Sequence, residues 1–424
     1  MSAPPDHSRD PFGWNALIAL AFLALACVRL TVPSQPFFDE VHYLPAARAV
    51  LELGVATNLE HPPLAKQIIA LGIALFGDTP LGWRVLSVLF GTLALFAGMR
   101  AMWFASRSRA VSLLTGLFVA TNFHLFLHAR IAMLDVFMVA FTMLALWMCA
   151  GAVRQNEQAR WRLAVAGIAL GCAMASKWNA IPLAMLPGLA FLVARVKADR
   201  RRLLLSRRGW PIAGMNLVEA ALLLGALPLA VYALTFWPFL YWQVTPNAPT
   251  GLIDLHRQML ELQTQVPEPH PYQSNWWDWI ANARAIWYLY EPVDGAQRGV
   301  MLIGNPVTMW FGLAAIIWCA WAGWKEGRRD CIAVVILYAV SLGLWIVAPK
   351  PVQFYFHYFL AAMFLSAALA LAVDWLWRRG ERFMPWALTI GAAAFFVYWF
   401  PVLTAAPLDD PQDFTRWAWT DGWR

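Results

Sequence analysis

Apolar runs of about 20 residues recur along almost the whole chain, and a run of that length can cross a membrane as one helix. Hydrophobic residues make up 60% of the 424 residues and charged residues only 13%, far from the balance of a soluble domain. The sequence therefore predicts an all-α polytopic membrane protein, with residues 1–424 in one transmembrane domain, and excludes a large soluble core. About eleven spans are predicted, at residues 14–31, 81–102, 110–127, 131–151, 161–178, 180–196, 212–236, 301–324, 331–348, 353–377 and 384–401.

The basic residues are grouped in a way that predicts the orientation of these spans. Lys and Arg cluster in connections that alternate with connections carrying acidic residues and His-Pro motifs, which is the positive-inside pattern. The pattern predicts a cytoplasmic N-terminus and an outer C-terminal tail, residues 401–424. It also accounts for the net charge of +7 without a nucleic-acid partner. The basic clusters lie near residues 100–109, 154–162, 195–208, 325–329 and 378–382.

Two of the connections predicted on the outer side are long, residues 32–80 and 238–300. Helical stretches are predicted in the first near residues 41–53 and 64–76. The second of these stretches is too short to span a bilayer and is expected to lie in the interface. In the other connection, residues 252–265 have apolar residues at helical spacing, which predicts a further helix on the membrane surface.

Asp39 and Glu40 follow the first predicted span directly and therefore lie at the outer membrane surface. A lone pair of carboxylates there is usually only solvated, but cations and His-Pro motifs are predicted on the same side. Transfer of a sugar from a lipid-linked sugar phosphate needs one base to deprotonate the attacking hydroxyl. It also needs positive charge to stabilise the leaving phosphate. We assign Asp39 as the base, with Glu40 orienting it or holding the acceptor.

Three charged residues near predicted helix ends could complete this chemistry. The guanidinium fork of Arg130 suits a phosphate group, although an Arg at a helix end can equally be snorkelling. Lys177 is the second candidate cation. Asp135 lies at membrane depth, where a carboxylate is expensive and usually functional. An ion pair with Arg130 or Lys177 that only holds helices together would explain Asp135 as well.

The prolines of His61-Pro62-Pro63 fix a rigid bend. The bend could aim His61 and Lys66 at the same chemistry, or it could only shape the loop. His128 follows another histidine by four residues, a spacing that can bind a metal ion, but no third ligand has a matching spacing. No metal site and no cofactor are therefore predicted, and the sequence leaves a role for a divalent ion open.

Seven short motifs follow one another along the chain: Phe38-Asp39-Glu40-Val41-His42, His61-Pro62-Pro63-Leu64, Ala129-Arg130-Ile131-Ala132-Met133-Leu134-Asp135, Ser176-Lys177-Trp178-Asn179, Trp276-Trp277-Asp278-Trp279, Leu302-Ile303-Gly304-Asn305-Pro306 and Phe354-Tyr355-Phe356-His357-Tyr358. Their order resembles the signature of the protein O-mannosyltransferase family, in a bacterial form without an inserted soluble domain. The resemblance covers nearly the whole chain. It implies the GT-C fold and an inverting glycosyltransferase whose donor is a polyprenyl-phosphate sugar.

The resemblance also implies roles for single residues. The catalytic aspartate of the family falls on Asp39, and its donor-side cations fall on Arg130 and Lys177. The family often has an Arg before the late motif rich in Phe and Tyr, where this chain has only Lys350 as a nearby cation, so Lys350 is taken as a third phosphate ligand. The residues expected to shape the cavity or bind substrate are His61, Pro62, Lys66, His128, Asp135, Trp178, Asn305 and His357.

The leading interpretation is transfer of mannose from a polyprenyl-phosphate carrier to protein Ser or Thr, at the periplasmic face of a bacterial inner membrane. A lipid or glycan acceptor, as in aminoarabinose transferases, needs the same carrier chemistry and stays open, as do the sugar, the carrier length and the oligomeric state. A transporter or flippase would also carry intramembrane charges, but it should show broken helices and paired repeats, which are not evident. An inactive subunit would be expected to have lost Asp39, Arg130 or Lys177. All three residues are present, which disfavours that interpretation.

Overall fold

The chain folds mostly into helices, as predicted. A computed structural model describes residues 9–198, 203–207, 209–241, 249–265, 268–348 and 350–424. Its α-helices are α1 (Phe12–Cys27), α2 (Glu40–Glu52), α3 (Leu64–Phe76), α4 (Pro80–Ser106), α5 (Arg109–Ala120), α6 (Phe123–His128), α7 (Leu134–Arg154), α8 (Ala159–Ser176), α9 (Ile181–Ala198), α10 (Leu217–Ala221), α11 (Leu227–Leu234), α12 (Leu252–Thr264), α13 (Trp276–Ala281), α14 (Gly312–Lys325), α15 (Arg329–Val347), α16 (Phe359–Arg378) and α17 (Phe383–Leu403).

Eight helical segments of the described chain are long and apolar enough to cross a membrane. They are Pro80–Ser106, Leu134–Arg154, Trp178–Ala198, Leu217–Leu234, Val307–Lys325, Arg329–Val347, Tyr355–Arg378 and Phe383–Leu403. Three further apolar helices, α1, α3 and α5, are shorter. Each predicted span coincides with helical backbone over most of its length. The protein is an integral membrane protein, and the number of eleven crossings stays a prediction.

The helices predicted inside the two long connections are present. Residues 41–53 and 64–76 correspond to α2 and α3, and residues 252–265 correspond to α12. Local backbone hydrogen bonds and apolar spacing specify such helices without help from distant residues. Their position at the membrane surface stays a prediction, and residues 242–248 and 266–267 of the second connection lie outside the described residues.

The second connection also contributes to a small antiparallel sheet that the sequence analysis missed. Strand β1 (Ile286–Val293) pairs with β2 (Ala296–Leu302), and the short β3 (Pro407–Leu408) pairs with β2. The hairpin turns at Asp294-Gly295, where both residues have positive φ, 48° and 73°. Asp-Gly is a favoured pair for such a two-residue turn. The predicted start of a span at residue 301 is therefore wrong, because β2 still occupies that position.

Small residues let the membrane helices approach one another closely. A Cβ atom added to Gly167 of α8 would lie 2.1 Å from the backbone oxygen of Leu223, and one added to Gly171 would lie 2.6 Å from that of Pro228. Small residues at such contacts are typical of helix packing in membranes, where van der Waals contact drives association. Here they seat α8 against the α10–α11 run, and the C-terminal end of α8 in turn carries Lys177.

Candidate active site

Asp39 immediately precedes α2 and follows a residue with an unusual backbone conformation. Phe38 has a φ of 51°, in the left-handed region that bulky side chains rarely adopt. Its ring stacks on Tyr288 of β1 at a centroid distance of 3.7 Å and meets Phe356 edge-on at 6.1 Å. These contacts hold a conformation that costs about 1–3 kcal/mol, and so they direct Asp39. The Tyr43 hydroxyl, one turn into α2, donates to Asp39 Oδ2 at 3.3 Å.

Glu40 has no exposed surface and is bound on both oxygens by Arg84 of α4. Nε and Nη2 of Arg84 donate to the two carboxylate oxygens, each at 2.8 Å, and the Ala132 amide donates to Oε1 at 2.9 Å. Arg84 also donates to the backbone oxygens of Leu30 and Pro33, at 3.1 and 2.7 Å. Glu40 therefore ties the first connection to α4. Glu40 was expected either to orient Asp39 or to hold the acceptor. Because its carboxylate has no surface open to an acceptor, this geometry favours the first role.

Lys177 and Asp135 form a buried ion pair, with Nζ and Oδ2 2.7 Å apart and side chains 4% and 1% exposed. Lys177 Nζ also lies 5.1 Å from the centre of the Phe356 ring. The other oxygen, Asp135 Oδ1, is buried without a hydrogen-bond partner among the described residues. An unsatisfied buried oxygen is costly. A hydroxyl group that donated to Oδ1 would therefore be bound favourably.

Lys177 is the centre of a cluster of ionisable groups. Its charge acts on Asp39 and His61 of the first connection, and on Lys350 and His357 from the segment between α15 and α16. The fold thus brings together five predicted site residues that are far apart in sequence. In the part of the chain that the structure describes, no group of three or more His, Cys, Asp or Glu side chains is arranged to hold a metal ion.

Gln263 of α12 links two members of this cluster. Its Nε2 donates to the Glu60 backbone oxygen at 2.8 Å and lies 3.3 Å from His61 Nδ1, while its Oε1 accepts from Lys350 Nζ at 3.1 Å. Burial lowers the pKa of His61 well below its ordinary value. Burial, assisted by the nearby charge of Lys177, lowers the pKa of Lys350 to about 8. Lys350 can therefore lose its charge in a mildly alkaline solution.

Arg130 contacts the end of α1 in this structure, and its role as a phosphate ligand stays a prediction. Its guanidinium donates to the backbone oxygen of Ala26 and, at 3.3 Å, to that of Arg29. It also lies against the ring of Phe126. Carbonyls at the end of a helix lack intrahelical partners, and a cation near them is favourable. Arg130 therefore caps the C-terminal end of α1.

Lys66 shapes the loop, which is the alternative that the sequence left open. Its Nζ donates to the backbone oxygens of Asn58 and His61, at 2.7 and 2.8 Å. Pro62 is buried beside this contact. Together the rigid proline and the lysine close the bend that precedes α3, so that the His61 ring meets the Tyr43 ring with centroids 6.1 Å apart. Lys66 thus acts on the site through the position of His61.

His128 and Asn305 are buried connectors. His128 Nδ1 lies 2.6 Å from the backbone oxygen of His124, and its Nε2 lies 3.1 Å from the Tyr288 hydroxyl. His128 therefore holds the tyrosine on which Phe38 stacks. Asn305 Nδ2 donates to two backbone oxygens, one at the end of α5 and one in α17, each at 3.0 Å. Its contacts are structural, and they join helices that flank the site.

Trp178 is the chain neighbour of Lys177, and His357 belongs to the cluster. Trp178 Nε1 donates to the Tyr232 hydroxyl at 3.0 Å, and that hydroxyl lies 2.8 Å from His256 Nε2. This chain of contacts fastens α12 to the end of α11. His357 stacks on Trp345 at a centroid distance of 3.9 Å and is 5% exposed. Both residues therefore support the groups around Lys177, and their role in shaping a cavity stays a prediction.

Sequence reasoning missed four residues of this site: Arg84, Tyr43, Tyr288 and Gln263. An intramembrane arginine is a functional signal by itself, so Arg84, at the outer end of the second predicted span, could have been found. Tyr43 lies four residues after Asp39, on the same helix face. Tyr288 and Gln263 carry no comparable signal, because only the tertiary structure brings β1 and α12 to Asp39.

Two family models match most of the chain. The model described as dolichyl-phosphate-mannose-protein mannosyltransferase matches residues 60–242. The model described as the C-terminal four TMM region of protein-O-mannosyltransferase matches residues 249–423. The chain belongs to the protein O-mannosyltransferase family. Lys177 and Lys350 lie inside the two matched ranges, whereas Asp39 precedes both.

Known proteins agree with this assignment. The polyprenol-phosphate-mannose–protein mannosyltransferase of Corynebacterium glutamicum is 28% identical over 93% of this chain and 89% of that protein. The protein of the same name from Mycobacterium tuberculosis is 27% identical, over 97% of this chain and 91% of that protein.

Solved structures confirm the GT-C fold that the family resemblance implied. The Saccharomyces cerevisiae protein O-mannosyltransferase Pmt1–Pmt2 complex bound to the sugar donor has a TM-score of 0.78 at 15% identity, with 97% of this chain and 93% of that chain covered. ArnT from Cupriavidus metallidurans bound to undecaprenyl phosphate has a TM-score of 0.62 at 14% identity, with 93% and 77% covered.

Proposed function

We propose that this protein transfers mannose from a polyprenyl-phosphate carrier to Ser or Thr hydroxyls of a polypeptide. The observation that carries the proposal is that Asp39 lies near enough to the buried Lys177–Asp135 pair for both of their charges to act on its carboxyl group. A base and a phosphate-binding cation thereby face one site. The relatives named polyprenol-phosphate-mannose–protein mannosyltransferases support this choice of donor and acceptor over a lipid or glycan acceptor.

The proposed reaction is one displacement at C1 of the mannose. The acceptor hydroxyl oxygen forms a bond to C1 on the face opposite the phosphate, while the bond between C1 and the phosphate oxygen breaks. The hydroxyl proton passes to Asp39. The electron pair of the broken bond leaves with the polyprenyl phosphate, and Lys177 and Lys350 stabilise its growing negative charge. Attack from the opposite face inverts the anomeric centre.

The remaining residues are assigned from their contacts. Asp135 pairs with Lys177 and holds its ammonium group in place. Glu40 and Arg84 are positioning residues that hold the first connection against α4. Lys177 and Lys350 are phosphate ligands. The charge pattern supports the orientation in which residues 32–80 and 238–300 face the periplasm of a bacterial inner membrane.

A transfer assay with the purified protein tests this function. Polyprenyl-phosphate-mannose is supplied with a Ser/Thr-rich peptide, and the mass of the peptide is followed. A gain of one hexose per modified site is expected, and a peptide with Ala in place of Ser and Thr should gain none. Consumption of the donor with transfer only to an added lipid or glycan would overturn the protein acceptor while keeping the glycosyltransferase class.

The pKa shifts in the site predict how the rate depends on pH. Asp39 accepts a proton only when ionised, and burial raises its pKa although Lys177 opposes the shift. Transfer is therefore present above this pKa and is lost as the pH falls through it, at a higher pH than for an ordinary aspartate. Lys350 loses its charge as the pH rises through about 8, so kcat/KM should fall again on the alkaline side.

Measurements of kcat/KM between about pH 4 and pH 10 would record both the acidic and the alkaline decrease. Lys350→Arg should move the alkaline decrease upward, because a guanidinium keeps its charge to a much higher pH. An alkaline decrease at the same pH in both proteins would contradict the phosphate-binding role of Lys350.

Lys177→Met is expected to weaken both the fold and the binding of the donor. Loss of the ammonium leaves Asp135 as a buried carboxylate without a partner, which costs about 3–5 kcal/mol. The double variant Lys177→Met/Asp135→Asn should recover most of the stability, because an amide needs no counter-charge, but not the donor affinity. Thermal unfolding and titration with the donor measure the two effects. If the double variant recovered both the stability and the donor affinity, the Lys177–Asp135 ion pair would have only a structural role.

A further inference from the structure

A cleft of about 260 Å³ opens between α2 and the segment that leads to His61. One of its walls is the exposed face of α2, whose opposite face is buried and carries Tyr43. The other wall is the segment that ends just before the His-Pro bend. The lining residues are Val41, His42, Pro45, Thr57, Asn58 and Glu60. The cleft thus uses the same two elements that carry Asp39 and His61.

The cleft and the charge cluster lie close together. His42 lies near enough to Asp39 for its charge to act on that carboxylate. Glu60, from the other wall, acts in the same way on Tyr43 and on Lys350. A chain lying in the cleft would therefore pass beside the base.

The lining of the cleft suits a polypeptide better than a lipid. Only Val41 and Pro45 are apolar, whereas the other wall consists of Thr57, Asn58 and Glu60. Asn58 Nδ2 donates to Glu60 Oε1 at 2.5 Å. Its Oδ1 is buried and has no hydrogen-bond partner among the described residues. An extended polypeptide supplies backbone N–H donors that could satisfy such an oxygen, and a lipid chain supplies none.

Glu60 gives the cleft its charge. It is the only carboxylate in the lining, and within the described part of the chain it forms no ion pair closer than 4.0 Å. Lys66 and Lys350 nevertheless lie within reach of its charge. A like charge placed beside the Glu60 carboxylate is repelled, and an opposite charge is attracted, with an energy that these cations and solvent screening keep small. Glu60 would therefore make the protein distinguish acceptor sequences by the charge of the side chains next to the acceptor residue.

We propose that this cleft receives the acceptor polypeptide and that Glu60 disfavours acidic residues, and favours basic ones, beside the acceptor Ser or Thr. The proposal rests on the function proposed above and adds to it the chemical class of the preferred acceptor. It makes Glu60 a specificity-determining residue.

Two acceptor peptides that differ only in having Lys or Glu on either side of one Thr provide the test. The unchanged protein is expected to mannosylate the Lys peptide with a kcat/KM about three- to fivefold above that of the Glu peptide, the size expected for one partly screened charge. Glu60→Gln keeps the contact with Asn58 and should bring the ratio close to one. Glu52→Gln, at the exposed C-terminal end of α2, is the matched control and should keep the original ratio.

A second pair of variants tests the cleft without reference to charge. Val41→Trp fills it from a position that is 50% exposed, and Leu51→Trp adds the same bulk at a position on α2 that is 44% exposed and outside the cleft. Only Val41→Trp should raise the KM for the peptide severalfold, with donor affinity unchanged in both.

The outcomes separate the two proposals. If the peptides are mannosylated but the Lys-to-Glu ratio in Glu60→Gln equals that of the unchanged protein, the role of Glu60 is overturned and the function stands. If Val41→Trp and Leu51→Trp have the same KM, the cleft is overturned as the acceptor site. If the unchanged protein consumes the donor and modifies neither peptide, the protein acceptor itself is overturned, and the cleft proposal falls with it.

Discussion

Asp39→Asn is expected to lower kcat for mannose transfer by about 10²–10⁴-fold, the contribution typical of a general base. Asparagine has nearly the same shape, and its amide oxygen can still accept the hydrogen bond from Tyr43. It cannot take the proton of the acceptor hydroxyl. The phosphate contacts assigned to Lys177 and Lys350 do not involve Asp39, so the donor affinity and the unfolding temperature should stay close to those of the unchanged protein.

The rate is measured with the peptide acceptor at saturating donor, and donor affinity is measured by titration. Asp78→Asn is a matched control, because Asp78 is an exposed carboxylate paired with Arg48 on the same connection. It should change kcat by less than about twofold, as expected for a solvent-exposed pair. Near-normal turnover in Asp39→Asn would remove Asp39 as the base and make Asp135 the next candidate.

Arg84→Ala is expected to destabilise the protein by about 3–5 kcal/mol and to abolish transfer. Both Arg84 and Glu40 are fully buried, so removal of the guanidinium leaves an unpaired carboxylate inside the protein, which is strongly destabilising. The carbonyls of Leu30 and Pro33 lose their donor as well. Because Glu40 adjoins Asp39, the loss of this anchor should also displace the base.

Thermal unfolding in the same detergent or lipid measures the stability, and the peptide assay measures transfer. Arg48→Ala is the control, since the Arg48–Asp78 pair has side chains that are 36% and 45% exposed and should contribute only about 0–1 kcal/mol. Equal losses of stability in Arg84→Ala and Arg48→Ala would show that Arg84 does not hold the first connection.

The helices were predictable because their determinants are local. Apolar runs predicted the spans, and apolar spacing within the two long connections predicted α2, α3 and α12. Backbone hydrogen bonds in a helix join residues four apart, so the sequence of each segment contains most of the needed information. The β1–β2 hairpin was missed although Asp294-Gly295 is a strong local turn signal.

The roles of single charges were harder to predict, because their partners are distant. Arg130 and Lys177 both read as cations at a helix end. In the structure, Arg130 donates hydrogen bonds to carbonyls at the end of α1, whereas Lys177 donates to the carboxylate of Asp135. The ion pair of Asp135 with Lys177 was one of the alternatives, since two opposite charges at membrane depth favour each other. For Glu40, nothing in the neighbouring sequence indicated Arg84 as its partner.

The stacking of Phe38 on Tyr288 and its contact with Phe356 have a consequence for biosynthesis. A chain is synthesised from its N-terminus, and its parts fold in that order. Phe38 and Asp39 are therefore synthesised long before Tyr288 and Phe356, the aromatic partners of Phe38. Until β1 and the segment before α16 have been synthesised, Phe38 lacks both of these ring contacts. The ring contacts that help to direct the base are thus complete only when the last third of the chain is in place.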